Sequence, residues 1–231
     1  MTISSPRPIG IFVMLLSLSM TIACSSDDTK NTTVQPTEKA LITVVHASPD
    51  APGVNLFVDS SQVNTAPLTF PNATGYLELP AGDRNIMVKP DGSNDAVIAA
   101  TLTLEAGKSY SVYAINAVSS IEPLVLVDDL TPPASGKAHV RFLHLSPDAP
   151  AVDIRVKNGP VLWSNRTFKD SDTAFTPVDA GRYDLEVVAA GTDTVVLDLP
   201  GIQLSDGAIY TVFAKGFLAT LGAEILVNRQ P

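Results

Sequence analysis

A histidine and an aspartate four residues apart, His46 and Asp50, flank Ser48-Pro49, and the arrangement returns at His144 and Asp148 around Ser146-Pro147. An imidazole that titrates near neutral pH beside a carboxylate is raw material for acid–base work or for a metal site. The full motif is His-x-Ser-Pro-Asp-Ala-Pro, closed by Pro52 in the first copy and Pro150 in the second. Each proline pushes its predecessor toward extended geometry, so Pro49-Asp50 and Pro147-Asp148 make tight bends whose carboxylates can accept backbone N–H groups. The same residues therefore have a structural use, with histidine and aspartate pinning a strand-to-strand connection. A reactive site needs groups converging in a pocket, and only two are visible per copy. Both copies must fold, whereas a single-chain enzyme seldom needs its site twice. The structural role is the expectation; a hydrolase using His46/Asp50 or His144/Asp148 is the alternative. His139 does not complete a metal site, because five residues before His144 on a strand it points to the opposite face.

The elements that position these residues repeat with them. Residues 44–58, VVHASPDAPGVNLFV, and 142–156, FLHLSPDAPAVDIRV, agree at eight of fifteen positions at an offset of 98 (144 − 46). Ile42, Val44 and His46 share one strand face, matched by Val140, Phe142 and His144; Val54, Leu56 and Val58 match Val152, Ile154 and Val156. Asn55, Phe57, Asp59 and Asp153, Arg155, Lys157 alternate with these and point the other way, which predicts one buried and one solvated face. No stretch after the leader has a sustained helical period. Seven short strands per copy are predicted, the later ones near 74–79, 84–89, 96–104, 109–116 and 122–128, recurring 98–100 residues on. The expected fold is all-β: two tandem immunoglobulin-like antiparallel β-sandwich modules, at 40–130 and 137–229. TPPASG at 131–136 links them, and its paired prolines restrict the angle between modules.

A second repeat supports this class. LEAGKSY (104–110) and LSDGAIY (204–210) share Leu-x-x-Gly-x-x-Tyr. Gly107, Tyr110, Gly207 and Tyr210 look like tyrosine corners, in which a strand-starting Tyr bonds back to upstream backbone. DGSND at 91–95 carries three spaced oxygen side chains, but no distal bidentate Glu follows. A hairpin loop is the expectation there and a calcium-stabilised module the alternative. Phe57, Trp163 and Tyr113 are candidates for a sugar-stacking platform, set against the ordinary scatter of exposed aromatics.

The N-terminus carries Arg7 and then an uncharged apolar run of twelve, IGIFVMLLSLSM, of signal-peptide rather than membrane-spanning length. It ends at Thr21-Ile22-Ala23-Cys24, which resembles the lipobox of bacterial lipoproteins, with Thr21 where Leu is usual. The resemblance implies cleavage after residue 23, acylation of Cys24 and, from Ser25, an outer-membrane address in a Gram-negative cell. Removing residues 1–23 removes one Arg and no acid, so the charge goes from −9 to −9 − 1 = −10. Residues 24–39 form the lipidated cysteine and a flexible tether with one apolar side chain beyond Cys24, Val34, reaching about 20 Å.

Composition sets outer bounds. A pI near 4.6 leaves nothing to neutralise a run of phosphates, so no nucleic-acid partner is expected. One cysteine excludes an intrachain disulfide and a cysteine-based zinc site. No cofactor or metal is expected. The paired openings, the module length and the lipoprotein-like start resemble the domain-of-unknown-function 4397 family of envelope proteins, over residues 40–229. The resemblance implies an extracytoplasmic β-sandwich and brings no catalytic residues. The expected function is a non-catalytic, lipid-anchored cell-envelope protein whose modules bind an envelope protein or glycan or serve a structural role.

Overall fold

Strands buried on one face alternate in sequence, whereas strands buried on both faces are apolar or small throughout, and this chain contains both kinds. In the computed structural model, which describes residues 38–170 and 173–231, the first module comprises β1 (Lys39–His46), β2 (Val54–Val58), β3 (Ser61–Gln62), β4 (Leu77–Pro80), β5 (Gly82–Pro90), β6 (Ile98–Leu104), β7 (Ser109–Ile115) and β8 (Glu122–Asp128). The second comprises β9 (Lys137–His144), β10 (Val152–Val156), β11 (Val161–Arg166), β12 (Thr176–Asp179), β13 (Gly181–Ala189), β14 (Val195–Leu204), β15 (Ile209–Lys215) and β16 (Gly222–Arg229). Each module is a sandwich of two four-stranded sheets. These are β3-β2-β5-β6 against β4-β1-β7-β8, and β11-β10-β13-β14 against β12-β9-β15-β16. The eighth strand of each copy, beyond the seven foreseen, is β3 or its longer counterpart β11.

The sandwiches are not purely antiparallel. β1 runs parallel to β7 over Leu41–His46, and β9 runs parallel to β15 over His139–His144. The outer strands β2 and β10 keep the expected alternation of buried and part-exposed residues. In contrast, all seven residues of β7 and the first six of β15 are buried. Val44 and Val112 lie in the first module's core with Leu56 and Val88, while Phe142 and Val212 lie in the second's with Ile154 and Val187. Their neighbours turn the other way. Val45, Ala47, Tyr113, Ile115 and Leu126 of the first module join Leu143, Leu145 and Phe213 of the second in a third apolar cluster. The two β1-containing and β9-containing sheets therefore face each other, giving four sheet layers. This replaces the expected solvated face of each inner sheet. Residues Pro36–Pro231 form one compact unit, and burying each large apolar side chain contributes about 1.5–3 kcal/mol.

A charged pair sits in this interface. Arg141 on β9 and Asp128 on β8 have side chains 1% and 0% exposed, with Nη2 and Oδ1 2.8 Å apart. That contact lies off the hydrogen-bonding direction and is chiefly coulombic. Hydrogen bonds connect the two residues by two routes. Arg141 Nε donates to Thr211 Oγ1 (2.8 Å), Thr211 to Asn228 Oδ1 (2.6 Å), Asn228 Nδ2 to the Tyr76 hydroxyl (3.1 Å), and Tyr76 to Asp128 Oδ2 (2.5 Å). On the other side Arg141 Nη2 donates to Ser111 Oγ (3.3 Å), which donates to Asp128 Oδ2 (2.5 Å). The guanidinium also lies 4.4 Å over the Phe175 ring. Burial, followed by the Asp128 charge, raises the Tyr76 hydroxyl well above the usual phenol range, so it stays a donor.

Removing one partner of a buried pair leaves an uncompensated charge. Arg141→Met is expected to cost about 3–5 kcal/mol in urea unfolding, and the double variant Arg141→Met/Asp128→Asn to recover most of that. A cost below about 1 kcal/mol for Arg141→Met would show that the interface does not depend on this pair.

Candidate functional site

β1 ends at His46, shortly before Pro49, which has no N–H to give a ladder, and β2 restarts at Val54 after Pro52. Within the bend His46 Nε2 lies 3.0 Å from the Pro52 carbonyl oxygen, and His144 Nε2 lies 3.1 Å from that of Pro150. A carbonyl only accepts, so Nε2 carries the proton in both rings. Nδ1 of each ring is buried without a partner from another residue, and so are the hydroxyls of Ser48 and Ser146. No serine–histidine hydrogen bond joins them.

The aspartates turn away from the histidines. Asp50 Oδ1 accepts the Val118 N–H (2.7 Å), and Asp148 Oδ1 accepts the Leu218 N–H (2.7 Å). Each carboxylate thereby caps the 3-10 turn that follows β7 or β15, Val118–Ser120 or Leu218–Thr220, whose own preceding residue offers no capping side chain. In each copy the histidine holds the bend to itself and the aspartate ties it to a neighbouring turn. Among the described residues, no three His, Cys, Asp or Glu side chains gather as a metal site would require.

Both bends lie at one end of the compact unit. Glu122, beside the first 3-10 turn, pairs with Lys169 (2.9 Å), whose amide bonds to the His144 carbonyl. Val118 and Leu218 are 38% and 49% exposed there. The chain enters the sandwich at the far end of β1, at Lys39.

The remaining singled-out residues serve the fold. The Tyr110 and Tyr210 hydroxyls accept the N–H groups of Glu105 and Ser205, both at 3.0 Å. Gly107 and Gly207 hold φ of +73° and +76° in the intervening turns, a conformation that strains residues with a Cβ. In the 91–95 loop Asp91 accepts from Asn55 (3.1 Å), and the Asp95 N–H bonds to Ser93 Oγ (3.1 Å). The aromatic platform is overturned. Tyr113 is fully buried between the modules, edge-on to Phe213, and Trp163 is stacked on Phe142 inside the second core. Only Phe57 stays on the surface, beneath the Lys89 ammonium. Cys24, the leader and most of the tether lie outside the described residues.

The buried polar circuit was not singled out in sequence. Its signal lay in matched positions that differ between copies: Thr43 and Arg141, Asp128 and Asn228, Tyr113 and Phe213, Tyr76 and Phe175. A family model described as "Domain of unknown function (DUF4397)" matches residues 40–155, running through the linker and ending within β10. No curated protein matches the sequence. Among solved structures, CBMbc (family CBM26) of Eubacterium rectale Amy13K, in complex with maltoheptaose, aligns at 10% identity. That alignment covers 83% of this chain and 98% of that one, with a TM-score of 0.27. The Bacillus anthracis TIE protein aligns at 12% identity over 78% of this chain and 34% of that one, with a TM-score of 0.24.

Burial holds the His144 imidazole below its ordinary value of 6.5, against the opposing pull of the Pro150 carbonyl. The unfolded chain therefore binds a proton that the folded chain refuses. The stabilisation from His144 is complete above pH 6.5 and shrinks as pH falls from there through the lowered folded value. Thermal melts between neutral pH and the range below 6.5 should show this loss, and His144→Gln should flatten that part of the profile. Asp50→Ala and Asp148→Ala should each cost about 1 kcal/mol by loss of a cap.

Proposed function

Because the chain belongs to the DUF4397 family and holds its repeated His and Asp side chains in internal bonds, we propose that it is a non-catalytic cell-envelope protein, anchored through Cys24, whose double sandwich presents a binding end. The observation that carries this reading is the placement of the two SPDAP bends. Both lie at the end of the compact unit remote from Lys39, where the tether joins. Each carries an exposed apolar residue on a carboxylate-capped turn, Val118 or Leu218. Rigidly held loops at one end of a β-scaffold are a common way to recognise a partner. The partner class is an envelope protein or a glycan, met on the extracytoplasmic side.

The anchor supports this placement energetically. Each buried acyl methylene contributes about 0.8 kcal/mol, so a multiply acylated cysteine stays on its membrane. In Triton X-114 partitioning of cells expressing the full chain, the protein should enter the detergent phase, and Cys24→Ser should move it to the aqueous phase. Equal partitioning of the two would remove the anchor from the reading. The binding end is tested with residues 25–231 immobilised against the envelope fraction and against glycan arrays. A saturable partner whose affinity falls about tenfold in Val118→Asp/Leu218→Asp, with an unchanged melting temperature, supports it. A partner that binds this variant undiminished places recognition elsewhere.

A further inference from the structure

Four open sheets have eight edges, and an unpaired edge strand invites another strand unless something blocks it. Among the described residues, seven edges carry such a block. β3 is two residues long. β4 and β12 have four residues each and contain Pro80 and Pro177. β8 carries Glu122, Pro123 and Asp128. β11 pairs with two register shifts and ends on Arg166. β14 has Asp198, Pro200 and two register shifts against β13, and β16 has Glu224, Arg229 and one shift. The exception is β6. Its seven residues, IAATLTL, hold no proline and no charge, and they pair with β5 in unbroken register from Ile98 to Leu104. β14, at the equivalent place in the second module, has the devices that β6 lacks.

The β6 sequence also fits itself. Laid antiparallel to a second copy about Thr101, it sets Ile98 opposite Leu104, Ala99 opposite Thr103, Ala100 opposite Leu102 and Thr101 opposite Thr101. Ile98, Ala100, Leu102 and Leu104 lie on the buried or part-buried side, and Ala99, Thr101 and Thr103 are exposed. In that register every apolar core-side residue meets another, and the exposed side meets only small or hydroxyl-bearing residues. Leu102, half-buried at the rim of the first core, gains cover from Ala100 of the second copy. Thr–Thr pairs across strands are favourable and no like charges oppose. We propose that the β6 edge is a homotypic docking site, joining two copies of this chain through one continuous eight-stranded sheet. The contact is isologous and consumes both edges, so assembly stops at two.

A seven-residue edge is about 23 Å long and buries less than a standard interface, so the dimer forms with rising concentration. Sedimentation velocity of residues 25–231, which contain the whole compact unit, should show a monomer-to-dimer shift between about 10 µM and 1 mM. Amides of residues 99–103 should gain exchange protection over the same range. Thr101→Glu sets two carboxylates opposite each other and should weaken the dimer about tenfold or more without altering the melting temperature. Ala99→Glu/Thr103→Lys sets opposite charges across the same register and should keep the dimer. A wild-type chain monomeric at the highest concentration, assemblies larger than two, a dimer unmoved by Thr101→Glu, or a dimer lost in the opposite-charge variant would each overturn the proposal.

Discussion

Arg141 cannot be buried without Asp128, and that constraint organises the whole double sandwich. Taking an unpaired guanidinium out of water costs several kcal/mol, so the face that carries it must meet a face that carries an acid. Asp128 lies on the other copy, with Ser111 and Tyr76 holding its second oxygen. A second-module face meeting its own duplicate would bring two guanidinium groups together. The difference between the copies, at positions that would otherwise be equivalent, makes each the other's partner and sets which strands lie opposite.

That pairing changes what the inner sheets are. With one face on its own module's core and the other on the neighbouring module, β7 and β15 have almost no solvent side, and β1 and β9 have little. The outer sheets keep theirs, and on the second module's outer face Arg155 bridges Glu186 and Asp193 while Lys157 pairs with Asp198. The bonds to the exposed Asp193 and Asp198 contribute little to stability, whereas Glu186 is buried beside Arg155. Among the described residues the weight rests on three apolar clusters and the enclosed polar circuit of Arg141 and Asp128. The same geometry brings both SPDAP bends to one end, because β1 and β9 finish there together.

The repeated histidine and aspartate illustrate how chemistry-bearing residues become structural ones. In each bend the two side chains go to different partners. The imidazole folds back onto the bend's own carbonyl, and the carboxylate reaches a turn about seventy residues further on. The bend thus ties the end of β1 to the end of β7, its parallel neighbour, and the second copy does the same for β9 and β15.

Local patterns were sufficient for seven of the eight strands in each module, the bends and the turn that Tyr110 and Tyr210 close, since each depends on residues close in sequence or on a period of two; β3 and β11 were missed. The parallel pairing of β1 with β7 was not legible, because alternation gives a strand's faces but not its neighbour's direction. Nor was the second buried face of the inner sheets drawn from sequence, although the unbroken burial of SYSVYAI and IYTVFAK has its counterpart in their small and apolar composition. Trp163 and Tyr113 were ambiguous for the same reason. An aromatic on a strand is core or surface according to what lies beyond the sheet. Period and turn chemistry are short-range and are written in the sequence itself. The burial of Arg141 against Asp128 exists only once two distant stretches exclude water between them, and tertiary packing alone decides that.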